Sequence, residues 1–230
     1  MNEELEQIAE NNKLRHNKIG VLLLGNNAPG GNNIIDGLLR YANHNKRTSL
    51  FGFVNGIAGV KSDTLLDITE ESFAPYRNLG GYDYLGRSKA MLDPSQFQML
   101  AESCKKNGIT GLILVGATHT LTIAAKLNEY FMASNIEANI VVIPATFNGN
   151  VKHKYFQCAL GFDTVSKVYS QLIGNMLTDS ASSTKHWYFV RLMGKDPSHL
   201  ALECALQTHP NMTIISEECA FRGETLPDII

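Results

Sequence analysis

Two amides and a lysine occupy the part of this sequence that is best placed to do chemistry. Asn148, Asn150 and Lys152 follow the short run Ile140–Ile143, which is uncharged and β-branched, as in a strand buried on both faces. Pro144 is expected to end this strand, and the Asn-Gly-Asn sequence is typical of a turn. Ligands of open α/β sheets bind just beyond the carboxyl ends of the strands. This segment is therefore the first candidate site, and it offers amides and a cation but no carboxylate.

A second candidate is a glycine-rich turn near the beginning of the chain. It covers residues 25–33, follows the predicted strand Lys18–Leu24 and precedes a helical pattern that starts at Ile34. A strand, a glycine-rich turn and a helix N-terminus can together hold a phosphate with backbone N–H groups and the helix dipole. The spacing matches neither the dinucleotide fingerprint nor a P-loop, so an ordinary strand–helix turn is the favoured interpretation.

Two further features carry cations or an imidazole. Arg87 and Lys89 lie in the glycine-containing loop Gly80–Lys89, where they could bind a phosphate, but a solvated surface loop is favoured. His119 follows the predicted strand Gly111–Val115 and stands near the start of a predicted helix. It has no histidine or aspartate partner at metal-ligand spacing, so a hydrogen-bonded structural histidine is favoured over a catalytic one.

Strands and helices alternate along the chain. Besides those named above, the patterns predict strands at Ser49–Val54, Trp187–Arg191 and Met212–Ser216, and helices at Pro94–Asn107, Asp163–Leu177 and Pro197–Gln207, with a further helix that ends at Phe131. This alternation predicts an α/β fold with doubly wound, mainly parallel sheets. We expect two lobes, residues 1–150 and 151–230, the second of them truncated because the chain stops soon after a strand.

Caps and glycines refine the expected boundaries. Asp93 and Asp163 are predicted helix N-caps, and Gly108 is predicted to follow a helix end. Gly52, Gly56 and Gly59 are predicted to lie in a loop that cannot be helical. The polar residues 1–17 fit either a helical lead-in or a frayed end, and the sequence does not decide between them.

Composition excludes several functional classes. A chain of 230 residues with 44% hydrophobic residues is long and apolar enough to form a globular core. The net charge of −2 and the pI of about 6.4 give no electrostatic footprint for nucleic acid or an anionic membrane. The four cysteines form no Cys-x-x-Cys pair, and no long apolar span is present. We therefore expect a reducing, cytoplasmic setting, with a disulfide as the less favoured alternative.

Six stretches of the sequence carry a family signature. They are A-P-G-G-N-N-I-I-D-G (Ala28–Gly37), G-G-Y-D-Y-L-G-R-S-K (Gly80–Lys89), G-F-D-T-V-S-K-V-Y-S-Q-L-I-G-N (Gly161–Asn175), F-V-R-L-M-G-K (Phe189–Lys195), S-H-L-A-L-E-C-A-L-Q-T-H-P-N (Ser198–Asn211) and S-E-E (Ser216–Glu218). Together they resemble phosphofructokinases of the pyrophosphate-dependent, long type. The resemblance covers nearly the whole chain. It implies a phosphofructokinase-like fold in which residues 1–150 bind the donor phosphates and residues 151–230 form part of the sugar-phosphate lobe.

The resemblance also implies which loop should carry the proton transfer, and this sequence departs from it. The family loop that matches Pro144–Lys152 reads P-K-T-I-D-G-D-L-K. Its first aspartate is the base that takes the proton from the sugar hydroxyl, and the second is needed for the same chemistry. Asn148 and Asn150 occupy these positions, and Ala145 replaces the lysine. An amide accepts no proton at neutral pH, so general-base help of roughly 10²–10⁴-fold is lost.

The second family loop, G-G-D-[GD]-S, holds the donor phosphates and Mg²⁺. In its counterpart, residues 116–120, Thr118 replaces the carboxylate, and Ala117 and His119 add side chains that should obstruct a phosphate. The degenerate donor-phosphate site comprises Gly25, Arg87, Gly116, Ala117, Thr118 and His119. With these carboxylates replaced, we expect this chain to contain no catalytic residue and no metal site.

The substrate-side positions match the family better. By the same resemblance, the fructose 6-phosphate pocket is lined by Thr146, Met193, Gly194, Lys195 and Glu217. Lys195 replaces the family's arginine, which keeps the charge and loses the bidentate fork. A family scaffold with altered catalytic loops is similar to the α (regulatory) subunit of the plant enzyme and to the α-like half of fused apicomplexan enzymes.

Three hypotheses follow from this combination. The first is a catalytically deficient, regulatory or structural α-type part of a 6-phosphofructokinase. It binds no cofactor and pairs with a catalytic β-type subunit or domain that uses Mg²⁺ and ATP or pyrophosphate. It could bind fructose 6-phosphate or another sugar phosphate and so tune its partner. The second is an active phosphofructokinase that recruits Asp36 or Asp163 instead. The third is an assembly scaffold with no ligand.

Overall fold

The computed structural model describes residues 16–88, 90–151, 153–194 and 197–229. These residues form two compact units, which divide between Ala145 and Thr146. The predicted lead-in at residues 1–17 lies almost wholly outside the described residues. The expected roles of the two lobes, donor binding for residues 1–150 and sugar binding for residues 151–230, stay predictions.

The first unit alternates strands and helices. Its described residues form strands β1 (Asn17–Leu23), β2 (Thr48–Phe53), β3 (Leu65–Asp67), β4 (Gly111–Gly116) and β5 (Asn139–Thr146, whose last residue belongs to the second unit), and helices α1 (Gly31–His44), α2 (Ile57–Ser62), α3 (Glu70–Phe73), α4 (Phe97–Asn107) and α5 (Thr118–Ala133). Single turns of 3₁₀-helix follow α3 at Ala74–Tyr76 and precede α4 at Pro94–Gln96.

The strands of the first unit lie in the order β3-β2-β1-β4-β5. All neighbours are parallel except β2 and β3. Leu23 of β1 pairs with Val115 of β4, which pairs in turn with Ile143 of β5, so the carboxyl ends of the three strands share one edge. Right-handed crossovers on the two sides of β1 put α1 and α5 on opposite faces of the sheet. This doubly wound, mainly parallel arrangement confirms the predicted fold class.

The core of the first unit lies between the sheet and the helices α4 and α5. Leu22 and Leu114 are fully buried on one face of the sheet, where Leu100 of α4 and Leu127 of α5 pack in the same cluster. Alternate strand residues point to the other face. Burial of so many aliphatic side chains is the main force that fixes the positions of the loops at the strand ends.

The start and end of α4 follow the predicted chemistry. Asp93 accepts a 3.0 Å hydrogen bond from the backbone N–H of Ser95, and Gln96 accepts one of 3.2 Å from the backbone N–H of Asp93. This reciprocal cap confirms Asp93 as the start signal. Gly108 has φ 66° and follows the helix, also as predicted. The first turn is 3₁₀, so the α-helix proper begins at Phe97.

Three predictions about the strands and helices of the first unit were wrong. Pro144 does not end β5, which continues to Thr146, because a proline is tolerated where no neighbour needs its N–H. The strand is also not buried on both faces, since the side chain of Val141 is 54% exposed. Gly52 lies inside β2 and Gly59 inside α2, so neither lies in a loop. A Cβ on Gly59 would stand only 2.0 Å from the carbonyl oxygen of Val54, so packing and not turn geometry requires the glycine.

The second unit is helical in its described residues, apart from the two-residue strand β6. Its elements are β6 (Leu160–Gly161), α6 (Phe162–Ser183), α7 (His199–Thr208), α8 (Ser216–Arg222) and α9 (Leu226–Ile229). In α6, Asp163 lies in the first turn and Gly161 occupies the N-cap, which corrects the prediction of an Asp163 cap. The helix also runs past the predicted end at Leu177. No described helix, α6 included, is both long and apolar enough to cross a membrane.

Two predicted strands of the second unit are absent from its described residues. Trp187–Arg191 forms neither a strand nor a helix, and Met212–Ser216 is irregular up to the start of α8. Trp187 and Phe189 are 87% and 88% exposed. A strand is stable only where it pairs with another strand and packs one face, and among its described residues this unit contributes, beyond the last residue of β5, only the two-residue strand β6, which does not pair with the segment. The strand prediction was therefore wrong, although the hydrophobic pattern is present.

Candidate functional site

The sheet of the first unit has a topological switch point between β1 and β4. The chain leaves β1 for β2 on one side and leaves β4 for β5 on the other. The helices that follow β1 and β4 therefore lie on opposite faces of the sheet, and such a point is where open α/β sheets bind ligands. A Cβ on Gly116 would stand 2.2 Å from Thr120 Oγ1 and 3.1 Å from the carbonyl oxygen of Leu24. The loop that follows β4 thus packs directly against the loop that contains Gly25.

Arg87 is bound to the first of these loops. Its Nε donates to Asn27 Oδ1, and its Nη1 donates to the carbonyl oxygen of Gly25 at 3.1 Å. Both acceptors belong to the glycine-rich turn that follows β1. The structure therefore brings Arg87 and Gly25 together, as the donor-site prediction requires, but the guanidinium already serves to fix the turn. Lys89, the second predicted cation, lies outside the described residues.

The loop that carries Arg87 is packed into the unit, so the prediction of a solvated surface loop was wrong. Tyr82 is 4% exposed and Leu85 is 1% exposed. Burial raises the pKa of Tyr82 to about 12, although the nearby Arg87 acts in the opposite direction. Asn32 is also buried and donates a 2.6 Å hydrogen bond to Asp83. No periodic hydrophobic pattern marks this loop, which is why sequence patterns did not reveal its packing.

His119 lies in the first turn of α5, beside the glycine-rich turn. It is exposed, and its ring makes no hydrogen bond to any residue that the structure describes, so the predicted structural histidine was wrong. A shallow crevice here encloses about 190 Å³, part of it open to solvent, and is lined by Leu24, Gly25, Met91, Leu92, His119, Thr120 and Ile123. Because this volume includes open solvent, the enclosed part of the crevice is smaller still. No sequence motif marked Met91 and Leu92 as residues of a site.

The start of α5 does not fit a protein-bound magnesium ion. Ala117 is the N-cap residue and provides no side-chain hydrogen bond, and the first turn contains no acidic residue. Mg²⁺ is usually held by carboxylate and phosphate oxygens, and Thr118 offers a hydroxyl instead. Nowhere in the described ranges do three or more His, Cys, Asp or Glu side chains group into a cation site.

In the second unit, the loop after β5 is organised by Thr146 and Gly149. Thr146 is 3% exposed, and its Oγ1 accepts a 3.2 Å hydrogen bond from the backbone N–H of Asn148. Gly149 has φ 68°, and a Cβ there would stand 2.8 Å from the ring of Phe162. The loop backbone therefore packs on the start of α6. Asn150 is exposed at the end of the loop, and Lys152 lies outside the described residues.

Glu217 is bound to the start of helix α7. It accepts a 2.7 Å hydrogen bond from the backbone N–H of Ser198, the N-cap residue of α7, and a second of 3.1 Å from Ser216 Oγ. These hydrogen bonds, those of Ser198 above all, lower the pKa of Glu217 to about 2. The carboxylate is thus ionised and already holds together the starts of α7 and α8. Sequence analysis predicted Glu217 but not its partner Ser198.

The remaining sugar-site candidates lie on an exposed segment. Met193 is 59% exposed, and a Cβ on Gly194 would have the carbonyl oxygen of Pro197 as its nearest neighbour, at 3.9 Å. Lys195 lies outside the described residues. Both Gly194 and the loop after β5 lie near the start of α7. The neighbour of Gly194 is Pro197, which precedes the N-cap residue Ser198, and a Cβ on Gly149 would stand 3.5 Å from His199 Cβ. The role of these residues in sugar-phosphate binding stays a prediction.

Comparison with known proteins gives a consistent result. The family model described as "Phosphofructokinase" matches residues 18–228 of this chain. The β2 subunit of pyrophosphate–fructose 6-phosphate 1-phosphotransferase from Arabidopsis thaliana is 43% identical over 215 residues, which are 92% of this chain and 38% of that protein. The α1 subunit from the same plant is 41% identical over 214 residues, or 92% of this chain and 35% of that protein. Phosphofructokinase from Saccharomyces cerevisiae shares the fold, with a TM-score of 0.78 at 22% identity over 90% of this chain and 27% of that chain.

Two consequences follow from these figures. The chain spans less than two fifths of the length of the curated relatives. Identities of 43% to a β subunit and 41% to an α subunit do not separate the two types, so the predicted α-type character depends on individual residues and not on overall similarity. The predicted resemblance to the pyrophosphate-dependent enzymes is confirmed. With a family match over nearly its whole length, this chain belongs to the phosphofructokinase family.

Proposed function

We propose that this chain is a catalytically deficient, regulatory or structural α-type part of a 6-phosphofructokinase. The assembly phosphorylates fructose 6-phosphate to fructose 1,6-bisphosphate in the cytoplasm, as a step of glycolysis. The catalytic partner is a β-type subunit or domain, which binds Mg²⁺ and either ATP or pyrophosphate. This chain contributes scaffold and, through a sugar-phosphate site, regulation.

The observation that carries the proposal is the identity of three side chains in two loops. Asn148 and Asn150 occupy the positions where the resemblance places aspartates, and Thr118 occupies that of a third carboxylate. Without a carboxylate, the loop after β5 has no general base for the sugar hydroxyl. Without one at the start of α5, the donor loop has no hard anionic ligand for Mg²⁺. Both halves of phosphoryl transfer are therefore affected at once.

The acids that could substitute for the missing ones are engaged elsewhere. Asp36, on helix α1, forms ion pairs with Arg40 of the same helix and with Arg77, each at 2.9 Å. Asp163 lies in the first turn of α6, where a carboxylate stabilises the helix dipole. The ion pairs of Asp36 and the helix-start position of Asp163 give each acid a structural role, and they support the deficient assignment over an active enzyme that recruits other acids.

The residues of the predicted donor-phosphate site support the same assignment. A phosphate bound to Arg87 would have to compete with the carbonyl oxygen of Gly25 and the amide of Asn27 for the guanidinium. The crevice between the two loops is also small, and the His119 side chain lines it. A sugar phosphate remains a suitable ligand, because the loop of Thr146 and the Glu217 carboxylate keep the family residue types. Such a ligand can regulate the partner if its affinity differs between two states of the assembly.

Loop transplantation tests the proposal. The segments Pro144–Lys152 and Gly116–Thr120 of this chain are inserted, singly and together, in an active pyrophosphate-dependent phosphofructokinase. We expect the first segment alone to lower kcat by roughly 10²–10⁴-fold, the usual contribution of a general base, with an unchanged melting temperature. The matched control carries the same segment with Asn148→Asp and Asn150→Asp and should regain most of the activity. Unchanged turnover in both single chimeras would contradict the proposal.

Calorimetry separates a regulatory role from a scaffold. Fructose 6-phosphate, pyrophosphate and ATP with Mg²⁺ are titrated into the purified chain, alone and with its β-type partner. The proposal expects heat with fructose 6-phosphate and none with either donor. An absence of heat with every ligand, together with partner binding, would indicate a scaffold without a regulatory ligand.

A further inference from the structure

We propose that Asn148 is a site of spontaneous deamidation, by which the chain acquires an aspartate or isoaspartate in the loop after β5. This inference does not depend on the proposed function, because the reaction involves only the chain and water. The sequence contains three Asn-Gly pairs, namely Asn55-Gly56, Asn107-Gly108 and Asn148-Gly149. In such pairs the backbone nitrogen that attacks the amide is shielded least, since glycine has no side chain.

The reaction is balanced without an enzyme or a cofactor. Solvent base takes the proton from the Gly149 backbone nitrogen, which then attacks Cγ of Asn148. The new N–Cγ bond closes a five-membered succinimide, the Cγ–Nδ2 bond breaks, and the nitrogen leaves as ammonia. Water opens the succinimide at either carbonyl and gives aspartate or isoaspartate. One amide and one water become one carboxylic acid and one ammonia, with no change of oxidation state.

The fold requires a glycine immediately after Asn148. Gly149 has φ 68°, a conformation that favours glycine. A Cβ at this position would also stand 2.8 and 2.9 Å from two carbons of the Phe162 ring and 3.5 Å from His199 Cβ. Any other residue would strain the backbone and displace the ring. Because the fold requires glycine at position 149, an asparagine at position 148 is always followed by the residue that makes it most prone to deamidation.

The reacting groups of this pair are held by few contacts. The side-chain oxygen of Asn148 is buried and has no hydrogen-bond partner among the described residues. Within the same residues, the N–H of Gly149, the attacking group, donates no hydrogen bond. The backbone N–H of Asn148 is the group that is held, by Thr146 Oγ1 at 3.2 Å. Rotation of the Asn148 side chain toward the Gly149 nitrogen therefore breaks no side-chain hydrogen bond.

Asn107 provides an internal control with the opposite environment. Its side-chain nitrogen donates to Asp63 Oδ1 and to the carbonyl oxygen of Ser103, each at 2.9 Å. The N–H of Gly108 donates to the carbonyl oxygen of Lys105 at 3.2 Å. Both reacting groups of this pair are thus engaged at the end of α4, and cyclisation would break all three hydrogen bonds.

Asn55 is a second control. Its backbone N–H donates a 2.7 Å hydrogen bond to the carbonyl oxygen of Leu85, and its φ is 59°. Gly56 is closely packed, because a Cβ there would stand 2.8 Å from the carbonyl oxygen of Leu23. The backbone on both sides of the bond is therefore held, by a hydrogen bond at Asn55 and by close packing at Gly56. We expect Asn148 to react faster than either control.

The product is compatible with the fold. Gly149 contacts Phe162 and His199, the first residues of α6 and α7. The loop backbone next to residue 148 therefore lies beside the first residues of two helices, where negative charge is favoured. Deamidation should accordingly change the charge of the loop without unfolding the second unit.

Peptide mass spectrometry of the aged full chain tests this inference. Purified protein is kept at mildly alkaline pH, in buffer and in denaturant, and the three Asn-Gly pairs are followed over time, with fragmentation to distinguish Asn148 from Asn150. In buffer we expect conversion at Asn148 to be severalfold faster than at Asn55 and Asn107, to give both products and to slow at mildly acidic pH. In denaturant the three pairs should convert at similar rates.

The control variant is Asn148→Gln, which keeps an amide but would need a six-membered ring to cyclise. Conversion at this position should become undetectable, while the rates at Asn55 and Asn107 stay unchanged. If the variant does not fold, the comparison of buffer with denaturant on the unmodified chain decides the question. Conversion of Asn148 in buffer at or below the rate of Asn107, or conversion at Asn150 in its place, would overturn the inference. Neither outcome bears on catalytic activity.

Discussion

The carboxylate of Glu217 accepts a 2.7 Å hydrogen bond from the backbone N–H of Ser198, the residue that caps helix α7. The two residues are nineteen positions apart, and their contact ties α8 to the start of α7. An N–H at a helix start has no partner within the helix, so an external carboxylate both satisfies it and stabilises the helix dipole. A residue that the family resemblance assigns to sugar binding therefore also has a structural function.

The Glu217 contact should make the second unit sensitive to acid. The pKa of Glu217 is lowered from 4.5 to about 2 in the folded chain, so its contribution is complete above about pH 4.5 and disappears as the pH falls toward 2. Glu217→Gln should lower the melting temperature at neutral pH and flatten its decline in acid. The matched control is Glu203→Gln, since Glu203 accepts a 2.7 Å hydrogen bond from Gln207 of its own helix and so ties no second helix to it within the described ranges. Equal effects of the two variants would contradict the assignment.

Asp63 should play a corresponding role in the first unit. It accepts hydrogen bonds from Lys106, Ser103 and Asn107 at 2.5, 2.9 and 2.9 Å, and these lower its pKa from 3.8 to about 2. Its stabilising effect is present above about pH 3.8 and is lost as the pH falls toward 2. Asp63→Asn keeps a residue type that tolerates φ 51° and removes the charge.

The expected result for Asp63→Asn is lower thermal stability at neutral pH and a shallower decline in acid. Thermal melts followed by circular dichroism between neutral and acid pH measure both quantities. Glu102→Gln on the same helix α4 is the control, because Glu102 bonds to Gln98 of its own helix at 2.9 Å. An unchanged acid profile in the Asp63 variant would show that the three contacts do not stabilise the charged form.

Two glycines in helices should respond to alanine in opposite ways. At Gly59 a Cβ would stand 2.0 Å from the Val54 carbonyl oxygen, so Gly59→Ala should destabilise the chain by roughly 1–3 kcal/mol or more. At Gly37, on α1, a Cβ would meet nothing within 4 Å, so Gly37→Ala should stabilise it by about 0.4–1 kcal/mol. Urea unfolding of both variants measures the two changes, and the same sign for both would contradict the packing described around α2.

Replacing the two amides by aspartates should not create an enzyme. Asn148→Asp with Asn150→Asp restores a base to the loop after β5, but Thr118, Ala117 and His119 still leave the donor loop without a metal ligand. We expect no detectable fructose 1,6-bisphosphate with pyrophosphate or with ATP. A second variant adds Ala117→Gly, Thr118→Asp and His119→Gly to these two substitutions and shows whether restoring the donor loop as well gives activity. Turnover in the double variant would refute the inference that both loops have lost their function.

Local sequence patterns predicted the parts of the fold that depend on local forces. The mainly apolar runs Lys18–Leu24 and Gly111–Val115 form strands within one residue of the expected bounds, because burial on both faces selects such runs. Trp187–Arg191 has a similar pattern but forms no strand, since pairing depends on a second strand that a local pattern does not reveal. The helix through Gly59 was missed for a related reason, because the requirement for glycine comes from contact with Val54.

The candidate site divides in the same way. Residue types alone indicated the altered chemistry, since an amide at Asn148 and a hydroxyl at Thr118 are visible without coordinates. The engagement of Arg87 with Gly25 joins residues 62 positions apart, and no spacing rule predicts it. What a side chain can do chemically was therefore predictable, and which group it contacts was not.

The measurement that tests catalytic deficiency most directly uses a disabled partner. This chain is co-purified with a β-type phosphofructokinase subunit whose own catalytic aspartates have been replaced by asparagine, and fructose 1,6-bisphosphate formation is followed with Mg²⁺ and pyrophosphate or ATP. The unmodified partner, which should be active in the same assembly, is the positive control. We predict no product from the disabled assembly above the level of the partner alone. Metal-dependent turnover that appears only when this chain is present would contradict the proposal.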